Sequence, residues 1–136
     1  MQSKPKISII TVVFNSKTLI EGTIKSVLEQ TFSSVEYIII DGGSTDGTLA
    51  IIESYQSKLA FVLSEKDKGI YDAMNKGLMK ATGKYVLFLN SGDLLFDSTV
   101  LEKVFSDNSN ADVYYGNTQI IDLRGNILGD RRLKPP

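Results

Sequence analysis

Strands that alternate with helices predict an α/β protein: a doubly wound, mostly parallel sheet with helices on both faces. Three observations carry this expectation. The apolar runs at 7–14, 35–40, 60–64 and 84–89 are short, continuous and rich in β-branched or aromatic residues. The segments between them space their apolar residues at helical intervals. The first run does not alternate, so both of its faces are expected to be covered, as in a parallel sheet joined by right-handed crossovers.

Taken in order, "ISIITVVF" (7–14) is the first buried strand, and Asn15 and Ser16 offer an N-cap to the first helix. "LIEGTIKSVLEQ" sets Leu19, Ile20, Ile24, Val27 and Leu28 on one helical stripe. "VEYIII" (35–40) is a second buried strand, broken by "DGGSTDGT". Asp46 or Thr45 can cap the next helix, which turns Leu49, Ile51, Ile52 and Tyr55 inward. "AFVLS" (60–64) is the third strand. "GIYDAMNKGLMKA" (69–81) is the third helix, expected to bury Ile70, Ala73, Met74, Gly77, Leu78 and Ala81. "KYVLFL" (84–89) is the fourth strand and "STVLEKVFS" a short helix. "DVYYGNTQIIDLRGNIL" reads as a strand followed by a hairpin that turns at Arg124-Gly125-Asn126.

With 136 residues and no repeat, low-complexity segment or internal linker, the chain reads as a single domain over 1–136. Pro135 and Pro136 cannot continue a ladder and no closing helix follows, so a C-terminal truncation is expected. Lys and Arg number 15 against 16 Asp and Glu, which gives no electrostatic case for nucleic acid. There is no Cys, which excludes disulfides, a thiolate nucleophile and a zinc–thiolate site. There is no His either, so a general base must be Asp or Glu, or else Lys or Tyr. The run "ISIITVVF" has eight residues, too few for a signal peptide or a membrane span. The chain reads as cytoplasmic, with association at the inner face of the membrane left open.

In open α/β sheets, ligands bind beyond the carboxyl ends of the strands. Four polar segments arrive there: Phe14-Asn15, Asp41 to Asp46, Ser64 to Lys68, and Asn90 to Asp93. Gly42 and Gly43 allow a sharp bend and close approach of a ligand. Asp41 can accept hydrogen bonds from ribose hydroxyls or a base N–H, although Asp, Gly and Ser also make plain turns. Asp67 can cap the third helix, and Lys68 can meet a phosphate or simply be solvated. Asn90, Ser91 and Asp93 suit a metal and phosphate corner, since Mg²⁺ or Mn²⁺ takes oxygen ligands and shares them with phosphates. "NSGD" is equally good β-turn composition. The glycine patterns of dinucleotide folds and P-loops are absent.

Together, "SIITVVFN", "SVLEQTF", "DGGSTDGT", "GIYDAMNKGLMKATGKY" and "FLNSGD" resemble glycosyltransferase family 2, the inverting transferases of GT-A, Rossmann-like fold. The likeness runs from Ile7 to about Asp97 and weakly onward, and is greatest to the bacterial branch that builds surface polysaccharides. It implies the N-terminal, nucleotide-sugar-binding portion of a transferase with a nucleotide-diphospho-sugar donor, often a UDP-sugar. It also implies a glycan or lipid-linked acceptor, a divalent metal (Mg or Mn) on the diphosphate, and single displacement at the anomeric carbon.

The resemblance assigns Phe14 to flank or stack on the base, with Asn15 beside it. It puts Asp41 and Asp46 near the nucleoside, and Asp67 and Lys68 in a third loop that meets the nucleotide. The family's second base-reading position falls at Gly42, so either Asp41 substitutes or base recognition is relaxed. The D-x-D metal motif falls on Asn90 and Gly92 around Ser91, and Asp93 matches the acid that often comes next, which makes it the expected metal ligand. The family's catalytic base lies beyond this motif, in an acceptor half that the chain is expected to lack, and no residue here matches it.

Two other readings compete. A sugar nucleotidyltransferase should carry a basic, Gly-rich loop after its first strand, which "NSKTLIEGT" does not resemble. A non-catalytic nucleotide-binding or assembly module would suit a missing acceptor half, but not such crowded polar strand ends. An uncovered tail edge after Val113 would pair with another chain, so a homo-oligomer formed through the tail is also expected.

Overall fold

The computed structural model describes residues 3–107 and 109–132. Its elements are β1 (Ile7–Val13), α1 (Ile20–Leu28), β2 (Val35–Asp41), α2 (Thr48–Glu53), β3 (Phe61–Ser64), α3 (Ile70–Lys80), β4 (Tyr85–Phe88), α4 (Val100–Val104), β5 (Thr118–Ile121) and β6 (Ile127–Arg131). Four strands form one parallel sheet in the order β3-β2-β1-β4. The chain therefore steps outward from β1 to β3 and then returns to the far side of β1. Right-handed crossovers place α1 and α2 on one face and α3 on the other. The reversal makes the carboxyl ends of β1 and β4 a topological switch point, where such sheets bind ligands.

Central position explains the continuous apolar runs. Every residue of β1 is buried, and it pairs with β2 from Ile7–Val35 to Val13–Asp41. Ile10, Val12, Ile38, Ile40 and Ala73 form a buried cluster, with Phe61, Leu63, Met74 and Phe88 packed against it. The alternate residues Ile9 and Ile39 face the other way, where Ile20, Ile24 and Ile52 are also buried. β3 and β4 end the sheet and are only half-covered. No helix among the described residues is long and apolar enough to cross a membrane.

Several local expectations change on folding. Helix α3 approaches the sheet through Ala73 and Gly77, and a Cβ at Gly77 would stand 2.5 Å from Ile10 Cγ2. This narrow seam of small residues leaves Ile70 and Leu78 exposed, contrary to the expected stripe. Leu19 is likewise exposed, because it caps α1 from outside the helix. Only Thr48 and Ile52 of α2 are fully buried. Neither Asn15 nor Ser16 caps α1 with its side chain. Instead the Ser16 carbonyl accepts the Leu19 and Ile20 N–H groups, and both side chains are committed elsewhere.

The chain divides into two compact units, Met1–Lys103 and Val104–Pro136. In the second, the strand expected from Asp112 starts only at Thr118. The hairpin turns where its composition indicated. Asp122 Oδ1 accepts from the Arg124 and Asn126 N–H groups, and Gly125 takes the left-handed conformation. Both hairpin strands are largely exposed, including Ile120, Ile121, Ile127 and Leu128.

Candidate functional site

The loop after β2 is built around Asp41, which is fully buried at the strand end. Its Oδ2 accepts from the Gly43 N–H (3.2 Å), the Ser44 N–H (3.0 Å) and the Ser64 hydroxyl (2.7 Å). Its Oδ1 accepts from the Ser44 hydroxyl at 2.5 Å. A buried carboxylate is tolerable only when its lone pairs are occupied in this way. Asp46, at the far end of the same loop, is exposed. It accepts from the Thr48 N–H and hydroxyl and from the Lys17 N–H. The Thr48 hydroxyl leads in holding the Asp46 carboxyl below the ordinary carboxylate value.

The loop after β1 is fastened to this frame. Asn15 is the only non-glycine residue with positive φ among the described residues, at 46°, a region that Asn tolerates better than most. Its N–H donates to Ser44 Oγ, and its Oδ1 accepts the Thr45 N–H, both at 2.8 Å. The Ser16 N–H reaches Thr48 Oγ1 at 2.9 Å. This bend leaves the neighbouring Phe14 ring 63% exposed directly after a buried strand.

Phe14, Val12, Asp67, Ile70 and Ala73 line a cavity of about 240 Å³. That is below the roughly 300–1,000 Å³ of a whole drug-sized site and suits one flat ring. Asp67 Oδ1 accepts the Gly69 N–H at 2.9 Å, which fastens the start of α3. Lys68 contributes its N–H to Asp72 Oδ2 (2.9 Å), while its side chain is exposed. Lys76 meets both Glu65 (3.0 Å) and Asp72 (3.5 Å) and so stiffens the third loop from below. A second concavity of similar size lies at the other end of the sheet, beside Val35, Tyr37 and Lys58. There the Gln30 amide is already bonded to Ser26 O, Asp97 O and the Leu101 N–H, and the Tyr37 hydroxyl to Thr11.

The loop after β4 is a genuine turn: the Asp93 N–H donates to the Asn90 carbonyl at 2.9 Å, with Gly92 at φ 98°. It is tied across the switch point. The Ser91 hydroxyl bonds Ser16 Oγ (2.8 Å), the Ser91 N–H reaches Val12 O, and the Gly92 N–H reaches Thr23 Oγ1 (2.9 Å). Within this tight arrangement Asn90 Oδ1 is buried with no hydrogen-bond partner. Such an atom costs roughly 1–3 kcal/mol unless something meets it. Asp93 is exposed. No group of three or more acids, His or Cys among the described residues could hold a metal alone. One carboxylate and one orphaned amide oxygen do fit the smaller share that a protein supplies when a diphosphate supplies the rest.

Folding thus brings Phe14, Asn15, Asp41, Asp46, Asp67, Lys68, Asn90, Ser91 and Asp93 to one edge of the sheet. Thr23, Thr48 and Ser64 hold that edge together; Thr48 and Ser64 stand in segments the sequence singles out, with no role assigned to them there, and Thr23 escapes the sequence motifs. A trace of Thr23 is there, since it sits among Ile20, Ile24 and Val27 on the buried stripe of α1.

A family model described as Glycosyl transferase family 2 matches residues 8–132. A cholesterol galactosyltransferase from Borreliella burgdorferi is 39% identical over 112 residues, which are 78% of this chain and 31% of that protein. A PGL/p-HBAD biosynthesis glycosyltransferase from Mycobacterium tuberculosis is 34% identical over 119 residues, covering 83% of this chain and 46% of that protein. The chain therefore spans about a third to a half of these relatives. Among solved structures, S. aureus TarS in complex with UDP-GlcNAc superposes with a TM-score of 0.68 at 31% identity, over 74% of this chain and 30% of that one. The mannosyltransferase PcManGT from Pyrobaculum calidifontis, in complex with GDP-Man and Mn²⁺, gives 0.71 at 25% identity, over 90% and 37%.

Proposed function

The chain belongs to glycosyltransferase family 2 and has the GT-A fold, and from that premise we propose that it forms the donor-binding part of an inverting glycosyltransferase. The donor is a nucleotide-diphospho-sugar, a UDP-sugar in the first instance. The acceptor is a hydroxyl of a glycan or lipid-linked glycan in bacterial polysaccharide or cell-envelope synthesis, at the cytoplasmic face of the membrane. The observation that carries this is the cavity beside Phe14, set next to a polar switch-point corner. One holds a flat ring and the other a charged group.

In the proposed reaction the acceptor oxygen forms a bond to the anomeric carbon as the bond from that carbon to the diphosphate oxygen breaks. The electron pair and negative charge leave with the diphosphate, and the acceptor proton passes to a carboxylate base not assigned among these residues. Phe14 and the cavity fix the base, which orients the sugar relative to the switch point. The exposed basic side chains of Lys68 and Lys17 are available to the diphosphate, where positive charge lowers the barrier most, and Ser91, whose hydroxyl and N–H already donate to Ser16 Oγ and Val12 O, shapes the corner that receives it. A divalent cation, held by Asp93 and Asn90 Oδ1 when bound, would neutralise the leaving diphosphate. Self-association through the exposed hairpin belongs to the same proposal.

The test is calorimetric titration of UDP into this chain with and without Mn²⁺. Binding that strengthens with Mn²⁺ is expected. Binding indifferent to Mn²⁺ would keep the nucleotide site and remove the metal, and no binding of any nucleoside diphosphate would remove the donor-site reading.

A further inference from the structure

Gly42 and Asp67 are 25 positions apart in sequence, and the fold presses one against the other. Gly43 and Gly47, in the same loop, have φ values of 89° and 100° and need glycine for their backbone. Gly42 is outside that region, and its N–H still bonds Val13 O at 2.9 Å in continuation of the strand pairing. Its backbone would accept any residue, but its surroundings would not. A Cβ at Gly42 would lie 2.7 Å from Asp67 Oδ2 and 3.3 Å from Asp67 Cγ. Gly42 is thus the recess that receives the Asp67 carboxylate.

That carboxylate is held but not used up. Oδ1 is anchored on the Gly69 N–H, and Oδ2 has no donor among the described residues. Asp67 shares its cavity with the exposed Phe14 ring and the apolar walls of Val12, Ile70 and Ala73. Asp41 cannot do the same work, because it is fully buried and its oxygens already take four hydrogen bonds. Asp46 is likewise committed, to Thr48 and Lys17.

We propose that Asp67, seated on Gly42, selects the base of the bound nucleotide by accepting a ring N–H. This rests on the donor-site reading above. A carboxylate accepts but does not donate. Uracil and guanine offer a ring N–H beside a carbonyl. Cytosine has a bare ring nitrogen in the corresponding place and would face the carboxylate acceptor to acceptor. The site therefore takes UDP- or GDP-type donors and rejects CDP-type ones.

The experiment compares UDP and CDP, which share ribose and diphosphate, by calorimetry on the wild type, Asp67→Asn, Asp67→Ala, Gly42→Ala and the double variant Gly42→Ala/Asp67→Ala, with thermal melts to confirm folding. Wild type is expected to favour UDP by about tenfold or more. Asp67→Asn keeps the shape but can also donate, so the preference should collapse or reverse. Gly42→Ala should weaken UDP binding when Asp67 is present and have no further effect in the Asp67→Ala background. Equal losses for UDP and CDP in Asp67→Asn would assign Asp67 to the ribose or phosphate and overturn the proposal. So would an unchanged preference, or a Gly42→Ala effect independent of Asp67. If the wild type binds neither nucleotide nor GDP, the donor-site reading itself fails, a result distinct from loss of selectivity.

Discussion

The loops after β2 and β4 leave the same edge of one sheet and carry similar residues, yet they are finished differently. The β2 loop closes on itself: Asp41 is buried and its oxygens take four hydrogen bonds from Gly43, Ser44 and Ser64. The β4 loop is clamped through its backbone and Ser91, but leaves Asn90 Oδ1 without a partner and Asp93 in solvent. A polar group whose capacity is filled by its own chain is scaffold. One that the fold fixes and leaves open is available to a ligand. Acidic residues at strand ends therefore divide by what already occupies their oxygens, not by type.

Removing Asp41 should break this contrast most forcefully. Asp41→Ala strands two N–H groups and two hydroxyls around a buried gap, which costs about 3 kcal/mol or more. Urea unfolding should show a large fall in midpoint, and nucleotide binding should be lost with the fold. If stability holds while binding disappears, Asp41 is a ligand group and the contrast fails. Asp93→Ala should do the reverse. Its stability change should stay within about 0.5 kcal/mol, as for other exposed sites, while Mn²⁺-dependent UDP affinity falls about tenfold. Unchanged affinity would make Asp93 a turn residue only.

Acid should separate the loops more gently. Thr48, chiefly through its hydroxyl, holds Asp46 below its ordinary value of 3.8. A group whose pKa is lowered by folding adds stability above its unfolded value and loses it as pH falls through the folded one. Protection of the Thr48 and Lys17 amides should therefore drop below pH 3.8. The Ser91 and Gly92 amides bond Val12 O and Thr23 Oγ1, neither of which titrates, so their protection should persist. Equal loss in both loops by amide exchange would point to global acid unfolding instead.

Much of the scaffold is legible in the sequence because hydrophobic patterning is local. The unbroken apolar runs locate all four strands of the main sheet, and glycine and Asp clusters locate the loops that leave three of them. The stripe on α3 comes out differently because spacing identifies a helical face without showing how wide the contact is. Ala73 and Gly77 narrow it, and Ile70 and Leu78 fall outside. The capping roles expected of Asn15 and Ser16 fail for a related reason. A side chain bonds the best-placed partner, and here those partners are Thr45 and Ser91, brought near by the sheet.

By itself, then, the sequence determined the α/β class, the order of elements and the set of polar residues that gather at the strand ends. Each comes from chemistry within a few residues: β-branched runs, helical spacing, and glycine where a turn demands it. Only the tertiary structure decided which of those polar residues are spent and which are open. Asp41 meets Ser64 only because β3 pairs with β2, and Asp67 rests on Gly42 only because the third loop folds back over the second. Hydrogen-bond capacity is filled by neighbours in space, and those neighbours are set by strand order and register.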